Sequence, residues 1–271
     1  MKKSNITIYS FILWIYTLST SFIFIYMIYN SFRSKKDFLG NTLGVPQQLG
    51  VENYIKLFVQ EKFYLNVISS IIILILTLFL LMTFSTMVAY GIGRYVFRFK
   101  NVIRIYFLLG LMFPTQLGII PVFIIIRNLG LMNTYWGVVL VLSSMISLPV
   151  LLLSTFFKNV SESISDAAKV DGASEFKIFL KIMLPLASPV IFTLCIIMSL
   201  QIWNQFFIPL IFLQDDSIKT IPLAIMRYTS TLYSFDLALA GSVIASIPLL
   251  IVFFIFSQRI IENVTAGGVK L

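Results

Sequence analysis

The sequence predicts an all-α integral membrane protein with six transmembrane helices. Apolar residues make up 59% of the 271 residues, and only 11% are charged, whereas about one-quarter are charged in an ordinary soluble domain. The 20 basic and 11 acidic residues also leave six long runs with no charge at all. Because roughly 20 helical residues cross a hydrocarbon core about 30 Å thick, each run is long enough to span a membrane once.

The uncharged runs define the predicted spans. They are 22 to 33 residues long and comprise Ser4–Phe32, Phe63–Gly93, Ile105–Ile126, Asn128–Phe157, Ile182–Gln214 and Leu237–Gln258. We expect spans at about residues 8–30, 65–91, 105–127, 134–157, 189–213 and 237–257, a loop at 158–185 and a tail at 259–271. A cleaved signal peptide is the alternative for the first run, but its apolar part is too long and no small-x-small cleavage pattern follows it. Buried helices of a soluble protein are disfavoured by the length and number of the runs.

The composition argues against several classes of function. The chain has no His and a single Cys, so it offers no His-ligated zinc site, no imidazole base and no internal disulfide. The net charge is +9, but the basic residues do not resemble a patch interleaved with exposed aromatics, so nucleic acid is not an expected partner. Asp215 and Asp216 lack the second acidic cluster of a magnesium site, and Ser242 has no His to activate it. We expect neither a catalytic residue nor a metal site.

Orientation follows from the basic residues beside the spans. Between the second and third runs lie Arg94, Arg98, Lys100 and Arg104 without an acidic residue, whereas only Arg127 borders the next turn. Cytoplasmic loops are enriched in Lys and Arg, so we expect the first of these loops, and both termini, to be cytoplasmic. Three cations that follow the first span oppose this assignment: Arg33, Lys35 and Lys36. In the same outer loop, residues 53–58 are either a short surface helix or a solvated loop.

The segment between the fourth and fifth spans predicts a short helix, a turn and a second short helix, which we call the elbow (residues 158–185). Asp171 and Gly172 give the turn, because Gly leaves a helix through positive φ at least cost. Ser174 is placed to cap the second helix. The helical repeat puts Ile164, Ala167 and Ala168 on one face of the first helix and Phe176, Phe179, Leu180 and Met183 on one face of the second. Pro185 and Pro189 are expected to end the elbow and begin the next span.

Two interpretations of the elbow are open from physics alone. Small side chains flanked by charges suit a close contact with another protein. The alternative is an amphipathic helix lying on the bilayer. The elbow carries equal numbers of cations and anions from Lys158 to Lys181, which disfavours the alternative because a membrane-surface helix usually has a cationic face.

The elbow resembles the EAA loop of permease subunits of binding-protein-dependent ABC importers. That pattern is Glu-Ala-Ala, three residues, Gly, nine residues and Ile-x-Leu-Pro, and six of its seven specified positions agree here. The seven positions are Asp166, which departs from the Glu of the pattern, and the matching Ala167, Ala168, Gly172, Ile182, Leu184 and Pro185. The resemblance implies a single permease domain over residues 1–271 in the cell membrane. It also implies that the first four of these residues, with Asp171, dock on a separate ATPase and that the last three anchor the elbow.

The resemblance also implies the rest of the assembly. The partners would be a dimer of ATP-binding subunits, a second and different permease chain, an extracytoplasmic binding protein and membrane lipid. This chain would bind no cofactor, with ATP and magnesium held by the ATPase. Shorter matches are similar to the MalG-like carbohydrate branch and imply a sugar cargo: Asn53-Tyr54, Trp203-Asn204-Gln205-Phe206, Lys219-Thr220-Ile221-Pro222-Leu223 and Thr265-Ala266-Gly267-Gly268-Val269-Lys270. A permease for a different solute is the alternative.

Polar residues inside the runs are candidates for the solute path, because polar groups in hydrocarbon need partners or water. The densest cluster lies before Pro209, which is expected to kink the fifth span, and it comprises Gln201, Trp203, Asn204, Gln205 and Phe206. Amides and aromatic rings suit the hydroxyls and apolar face of a neutral sugar. Fainter candidates are Gln116, Thr115, Asn133 and Tyr135. The alternative for each is hydrogen bonding between helices.

Energy for uptake must come from another chain. The sequence contains no G-x-x-x-x-G-K-[ST] motif, and no charged residue lies inside the six runs to form a proton relay. We therefore expect alternating access driven by a separate ATPase rather than a passive channel, a secondary carrier or an intramembrane enzyme. The tail is a further candidate ATPase contact, through Gly267, Gly268 and Lys270, with a disordered end as the alternative.

Overall fold

A computed structural model describes the backbone of residues 2–42, 44, 48–230 and 234–268, and the side chains of residues 9–42, 44, 48–229 and 234–255. Within these residues the regular secondary structure is helical, with one isolated antiparallel bridge between Arg33 and Leu49, which confirms the all-α class. The chain divides into two compact units, Met1–Val67 with Thr220–Ile255 and Ile68–Lys219 with Phe256–Leu271. The single permease domain therefore stays a prediction.

The first unit contains the N-terminal helix and the outer loop. Its helices are α1 (Lys2–Ser31), α2 (Lys35–Gly40), α3 (Glu52–Ile55), the first residues of α4 (Phe63–Arg94), α14 (Ile221–Ser230) and most of α15 (Phe235–Gly268). A π-helical turn, Lys56–Gln60, follows α3. No side chain between Tyr9 and Tyr29 of α1 is buried, so this apolar helix needs lipid or another protein around it.

The second unit contains the rest of α4 and the shorter helices. These are α5 (Lys100–Met112), α6 (Ile119–Asn128), α7 (Tyr135–Ser143), α8 (Ser147–Asn159), α9 (Glu162–Val170), α10 (Glu175–Ile178), α11 (Leu184–Leu186), α12 (Ser188–Trp203) and α13 (Phe207–Phe212). A 3-10 turn, Thr115–Gly118, precedes α6, and a π-helical turn, Phe179–Met183, lies between α10 and α11. One buried core joins α4, α7, α8, α12 and α13 to the elbow, and it includes Leu81, Leu142, Leu153, Met183 and Phe212.

The expectation of one continuous helix per run is wrong for three of the six runs. Tyr9–Ser31, Phe63–Arg94 and Phe235–Ile255 are continuous and long enough to cross a membrane. The other three candidate spans are helix pairs: Lys100–Met112 with Thr115–Asn128, bent by 99°, Tyr135–Ser143 with Ser147–Asn159, bent by 45°, and Glu175–Leu186 with Ser188–Trp203, bent by 70°. Six spans result when each bent pair is one span.

Prolines account for three of the breaks inside the runs, and a fourth, between α11 and α12, is the 70° bend at Ala187. Proline removes a backbone donor and its ring clashes with the carbonyl four residues earlier. Pro114 lies at the first break, and Pro149 and Pro209 follow Met145 and Gln205, which lie in the breaks between α7 and α8 and between α12 and α13. Pro248, in contrast, sits inside the unbroken α15, so a proline permits a break without requiring one.

The outer loop of the first unit is organised around Arg33, a cation that sequence reasoning treated only as a topology signal. Its guanidinium is buried and pairs with Asp37 at 2.9 Å. It also donates to the Asn30 side chain at 3.0 Å and to backbone oxygens of Asp37, Asn41, Thr42 and Gly44. A buried charge needs such partners because its desolvation is costly. Arg33 therefore has a structural role.

Asn53 and Tyr54 fasten α3 to the end of α1. The Asn53 amide donates to the carbonyls of Ser31 and Arg33 at 2.8 and 2.7 Å, and the Tyr54 and Ser31 hydroxyls are 2.7 Å apart. Residues 52–60 are helical, so the surface-helix interpretation of this segment is right in kind. The segment is not merely on the surface, since Asn53 and Leu57 are buried.

Candidate functional site

The elbow forms the predicted helix, turn and helix. After α9 the N–H of Gly172 donates to the carbonyl of Lys169 at 3.0 Å, and the N–H of Ala173 donates to that of Ala168 at 2.9 Å. This pair of bonds is a Schellman motif, which needs a left-handed residue, and Gly172 has φ of +74°. Ser174 then caps α10 by accepting the N–H of Lys177 at 3.4 Å, as predicted. The turn is thus fixed by Gly172 and Ser174.

The face of α9 that packs against the molecule differs from the expected one. Ser165 and Ala168 are buried, whereas Ile164 and Ala167 are exposed. The reason is that the polar Ser165 is held inward by a hydrogen bond of 2.6 Å from Arg94. The tip of the elbow, which we define as Asp166, Ala167, Val170, Asp171 and Gly172, is exposed.

The second half of the elbow also turns a different face inward. Ile178, Phe179 and Met183 are buried, but Phe176 and Leu180, which the helical repeat placed with Phe179 and Met183, are exposed. The π-helical turn Phe179–Met183 shifts the register of the side chains, which an α-helical repeat does not anticipate. Among the other matched positions, Ile182 and Leu184 pack against the core, while Pro185 is exposed just before the 70° bend.

Polar contacts tie the elbow to the end of α4. Arg94 donates to the carbonyl of Val160 at 2.8 Å as well as to Ser165. Glu175 accepts from Lys169 at 2.9 Å and from the Tyr95 hydroxyl at 2.8 Å. The hydrogen bond to Glu175 raises the pKa of Lys169, and burial, together with the bond to Glu175, raises the pKa of Tyr95. The turn between α9 and α10 is therefore bridged by a charge pair that also reaches α4.

A cavity of about 240 Å³ lies beside these contacts. It is lined by Met87, Tyr90, Tyr95, Glu175, Phe176 and Phe179. The ring of Tyr90 contacts those of Tyr95, Phe157 and Phe179, with centroids 5.8, 5.5 and 5.0 Å away. The aromatic contacts connect α4, α8 and the elbow.

The amide cluster of the fifth run lies at the break between α12 and α13. Asn204 donates its side-chain N–H to the carbonyl of Leu200 at 2.9 Å, and the Gln205 side-chain oxygen accepts the N–H of Phe207 at 3.2 Å. Trp203 is buried, Gln201 and Asn204 are exposed, and Gln205 and Phe206 are half-buried. The Gln205 amide thus satisfies a backbone N–H at the start of α13, and the Asn204 amide adds a second donor to the Leu200 carbonyl, which also accepts the Asn204 backbone N–H at 3.3 Å.

Residues at or beside the three within-run breaks that involve a proline line one cavity of about 210 Å³. Thr115 follows the first break, Ser144 and Met145 lie in the second, and Ile208 is the second residue of the helix after the third, with Ile119, Val122 and Val141 completing the lining. Gln116 is exposed beside this cavity's Thr115, and the amide cluster does not line it. Sequence reasoning missed Ser144 and Met145; the signal was the Ser143-Ser144 pair five residues before Pro149.

Asn133 and Tyr135, two of the fainter path candidates, have structural partners. Asn133 has φ of +57°, and its side-chain oxygen accepts the N–H groups of Gln214 and Asp215, both at 2.9 Å. The Tyr135 hydroxyl lies 2.9 Å from that of Ser69 on α4. Asn133 therefore joins the loop before α7 to the loop after α13.

Comparison with known proteins identifies the family. The family model described as "Binding-protein-dependent transport system inner membrane component" matches residues 85–265, two thirds of the chain. This chain belongs to that family. The match begins in α4 and includes the elbow and the three within-run breaks, so this permease is a multi-pass membrane protein, and the resemblance carried by the elbow is confirmed at the family level.

Several relatives of the permease are named as sugar transporters. The arabinooligosaccharides transport system permease protein of Halalkalibacterium halodurans is 31% identical over the whole of both chains. The multiple sugar-binding transport system permease protein of Streptococcus mutans is 30% identical, over 90% of this chain and 89% of its own. Among solved structures, a chain of a bacterial ABC transporter involved in the import of the acidic polysaccharide alginate has a TM-score of 0.81 at 22% identity, covering 93% of this chain and 95% of that one, and shares the fold.

The Asp215-Asp216 pair and the C-terminal tail were the other segments considered for a function. Asp215 accepts bonds from Ser217 at 2.8 Å and Asp216 pairs with Lys219 at 2.6 Å, so both carboxylates are engaged locally. Over the described residues no group of three or more His, Cys, Asp or Glu is arranged to hold a metal. In the tail, α15 continues to Gly268 and thus includes Gly267, and Lys270 lies outside the described residues.

Proposed function

We propose that this permease is one of two different membrane subunits of an ATP-driven carbohydrate importer. A pair of ATPase subunits would dock on its cytoplasmic side, and an extracytoplasmic binding protein would deliver the sugar. Relatives named for arabinooligosaccharides and for multiple sugars support this cargo. A solved alginate transporter of the same fold in complex with an alginate pentasaccharide-bound periplasmic protein supports the delivery step, at a TM-score of 0.65 and 18% identity.

The observation that carries the proposal is the exposed tip of the elbow, which is held by the Schellman turn at Gly172 and by the hydrogen bond from Arg94 to Ser165. Asp166, Ala167, Asp171 and Gly172 offer small and acidic groups to a partner, and exposed carboxylates fix the orientation of a docked surface. Ala168 supports this tip from inside, because it is buried within its own chain. Ile182, Leu184 and Pro185 would hold the elbow at the 70° bend into α12.

The contacts of the elbow suggest how movement of an ATPase would reach the membrane. Arg94 links α9 to the end of α4, and the buried Phe179 and Met183 belong to the core that contains α12 and α13. A tightly packed core transmits displacement rather than absorbing it. Closure of the ATPase pair would therefore tilt the helices that line the cavity at the breaks, which is alternating access.

Both termini and the elbow are proposed to be cytoplasmic. The cations that favour this are Arg94, Arg98, Lys100 and Arg104, and the cations after α1 argued against it. Arg33, one of those opposing cations, is buried and paired with Asp37, so it is held by the loop fold itself. Arg33 therefore counts less as evidence against cytoplasmic termini under the positive-inside rule.

A neutral sugar fits the chemistry of the uncharged runs better than an ion does. The cavity at the breaks combines the hydroxyls of Thr115 and Ser144 with an otherwise apolar lining. Its volume of about 210 Å³ is below the roughly 300–1,000 Å³ of a complete small-molecule site, so it would accept part of a solute. Gln201, Asn204 and Gln205 would provide further amides along the path, with Trp203, Phe206 and Gln116 beside them.

ATP hydrolysis would take place on the partner. We propose that this chain binds no cofactor and that the ATPase subunits hold ATP and magnesium, because the sequence has no phosphate-binding G-x-x-x-x-G-K-[ST] motif. The tail, through Gly267, Gly268 and Lys270, would add a second contact with the ATPase.

The test is uptake into vesicles that contain the complete complex. The tagged chain is purified with its companions, the companions are identified by mass, and the complex is reconstituted with its binding protein. Labelled neutral oligosaccharides, acidic oligosaccharides, amino acids and polyamines are then offered with and without ATP. We expect ATP-dependent uptake of a neutral oligosaccharide.

Two outcomes would contradict the proposal separately. Uptake that continues without the ATPase subunits would indicate a channel or a secondary carrier. ATP-dependent uptake of amino acids or polyamines alone would retain the importer and overturn the cargo.

A further inference from the structure

A narrow cleft separates the beginning of α5 from the end of α8. Its volume is about 30 Å³, and one oxygen-sized atom needs roughly 10–15 Å³ by this measure, so it admits about two such atoms. Six of its eight lining residues are polar or cationic, namely Lys100, Asn101 and Arg104 from α5 and Ser154, Thr155 and Lys158 from α8, and the other two are Ile92 and Gly93 from α4.

The cations of this cleft have no acidic partner among the described side chains. The ion pairs among the described side chains involve cations outside the cleft, namely Arg33, Lys169, Lys219 and Arg227. Lys100 is oriented by backbone, since its Nζ donates to the carbonyl of Tyr95 at 3.0 Å. Arg104 and Lys158 are exposed at the mouth of the cleft. Three cationic residues thus line one cleft with no acidic side chain paired to them, and only Lys100 is compensated by backbone carbonyls, which favours an anionic ligand.

The first turn of α5 adds to this preference. Its N-cap, Phe99, makes no side-chain cap hydrogen bond, and no acidic residue lies in the first turn of this 13-residue helix. The N–H groups at a helix start attract anions when no side chain satisfies them. The cleft is lined by Lys100 and Asn101 of this first turn, so a phosphate inserted there would lie beside the helix start as well as beside the cations.

The surface below the cleft is apolar and exposed. Leu108 and Leu111 follow Arg104 at the spacing of one helix face, and they are 46% and 49% exposed. On α8, Leu152 precedes Thr155 by one turn and is 46% exposed. A phosphate group held at Arg104 would thus have an apolar track leading away from it, which suits acyl chains and offers nothing to a free anion.

We propose that this cleft binds the phosphate of an anionic phospholipid, with phosphatidylglycerol as the simplest example. Arg104 and Lys158 contact the headgroup, Lys100 completes the charge, and the acyl chains lie along Leu108, Leu111 and Leu152. The site is separate from the elbow tip and from the cavity at the within-run breaks, and it does not depend on the cargo of the permease.

The experiment compares lipids retained by the full chain after solubilisation from vesicles of equal phosphatidylglycerol and phosphatidylcholine. Native mass spectrometry gives the ratio of the two lipids bound. We expect phosphatidylglycerol to dominate. Because a basic residue near a membrane surface contributes about a fivefold preference, Arg104→Gln and Lys158→Gln should each lower the ratio about fivefold and the double variant about 25-fold.

Matched variants keep the result interpretable. Arg98→Gln removes a nearby exposed cation that does not line the cleft, and Arg104→Lys with Lys158→Arg preserves the charge; both should retain the wild-type ratio. An unchanged ratio in the double glutamine variant, or an equal loss with Arg98→Gln, would overturn the proposal.

Two further measurements separate the sources of the phosphate. If millimolar inorganic phosphate displaces the bound lipid or raises thermal stability without lipid, the cleft is a free-anion site and the lipid assignment fails. If the double glutamine variant keeps its lipid but loses the ATPase, these cations belong to the ATPase interface and the proposal is overturned as well.

Discussion

Arg94, the last residue of α4, donates a hydrogen bond of 2.6 Å to the hydroxyl of Ser165 in the first helix of the elbow. The same guanidinium holds the carbonyl of Val160, where the chain leaves α8. One side chain thus sets the position of α9 against two membrane helices. Hydrogen bonds from charged groups contribute about 1.5–3 kcal/mol, enough to make this contact the main polar link between elbow and span.

We predict that Arg94→Met uncouples the elbow. Loss of both bonds should lower the free energy of unfolding by about 2 kcal/mol and reduce transport more than it reduces ATPase binding. Ser165→Ala should have a smaller effect, because Val160 keeps its donor. A double-mutant cycle on thermal stability measures the coupling between Arg94 and Ser165, and additive effects would show that the bond does not contribute.

Arginine substitutions at the two adjacent alanines of the EAA-like sequence should affect different properties, ATPase binding at one and thermal stability at the other. Ala167 is exposed and Ala168 is 7% exposed within the core. Ala167→Arg should therefore remove ATPase co-purification while leaving thermal stability unchanged. Ala168→Arg forces a charge into a packed site and should destabilise the chain by about 3 kcal/mol or more. Normal ATPase recovery with Ala167→Arg would exclude this face of α9 from docking.

Substitution of Gly172 should act through the backbone conformation at this position and not through steric crowding of the new side chain. A Cβ at Gly172 meets no atom within 4 Å, but the left-handed φ of +74° costs an L-residue about 1–2 kcal/mol. We expect Gly172→Ala to weaken ATPase association roughly 5- to 30-fold and Gly172→Arg to abolish it. Gly91→Ala is the control, because that site in α4 is equally open and has no positive φ. Equal effects of the two alanine variants would contradict the turn argument.

Arg33 should be the most sensitive cation of the outer loop. Arg33→Met leaves the Asp37 carboxylate and several carbonyls without their donor, and removing one partner of a buried pair costs about 3–5 kcal/mol. Limited proteolysis of residues 34–60 and thermal unfolding both report this loss. Lys36→Met is the control, because Lys36 is exposed, and it should change neither measurement. A stable, protease-resistant Arg33→Met protein would show that the hydrogen bonds of Arg33 are not needed to hold the outer loop.

The sequence was sufficient for the features that depend on short-range chemistry. Absence of charge located the membrane segments, and the Gly172 turn and the Ser174 cap follow from local backbone preferences. Burial of Ser165 in place of Ile164 was not predictable, because it depends on Arg94, which is 71 residues away in the chain. The inward face after α10 was missed because a π-helical turn changes the repeat from within.

The cavity at the within-run breaks shows the same limit. Pro209 predicted one of the breaks, but only the folded chain brings Thr115, Ser144 and Ile208 to one place. The amide cluster, chosen because polar residues are dense there, turned out to serve the backbone of its own break through Leu200 and Phe207. A high density of polar residues along the chain therefore does not distinguish side chains that contact solute from side chains that hydrogen-bond to the backbone at a helix break.

The last prediction separates these two roles. Thr115→Val keeps the shape of the side chain and removes a hydroxyl that lines the cavity, so it should raise the KM for sugar uptake about 2- to 13-fold, the value of one hydrogen bond, without affecting assembly. Asn204→Leu should alter cargo affinity too, and it should also lower thermal stability, because Leu200 loses a donor. Thr83→Val, whose hydroxyl bonds only the Phe79 carbonyl of its own helix, is the control for both. If Thr115→Val transports with wild-type KM while Asn204→Leu does not, the solute path follows the amides and bypasses the cavity.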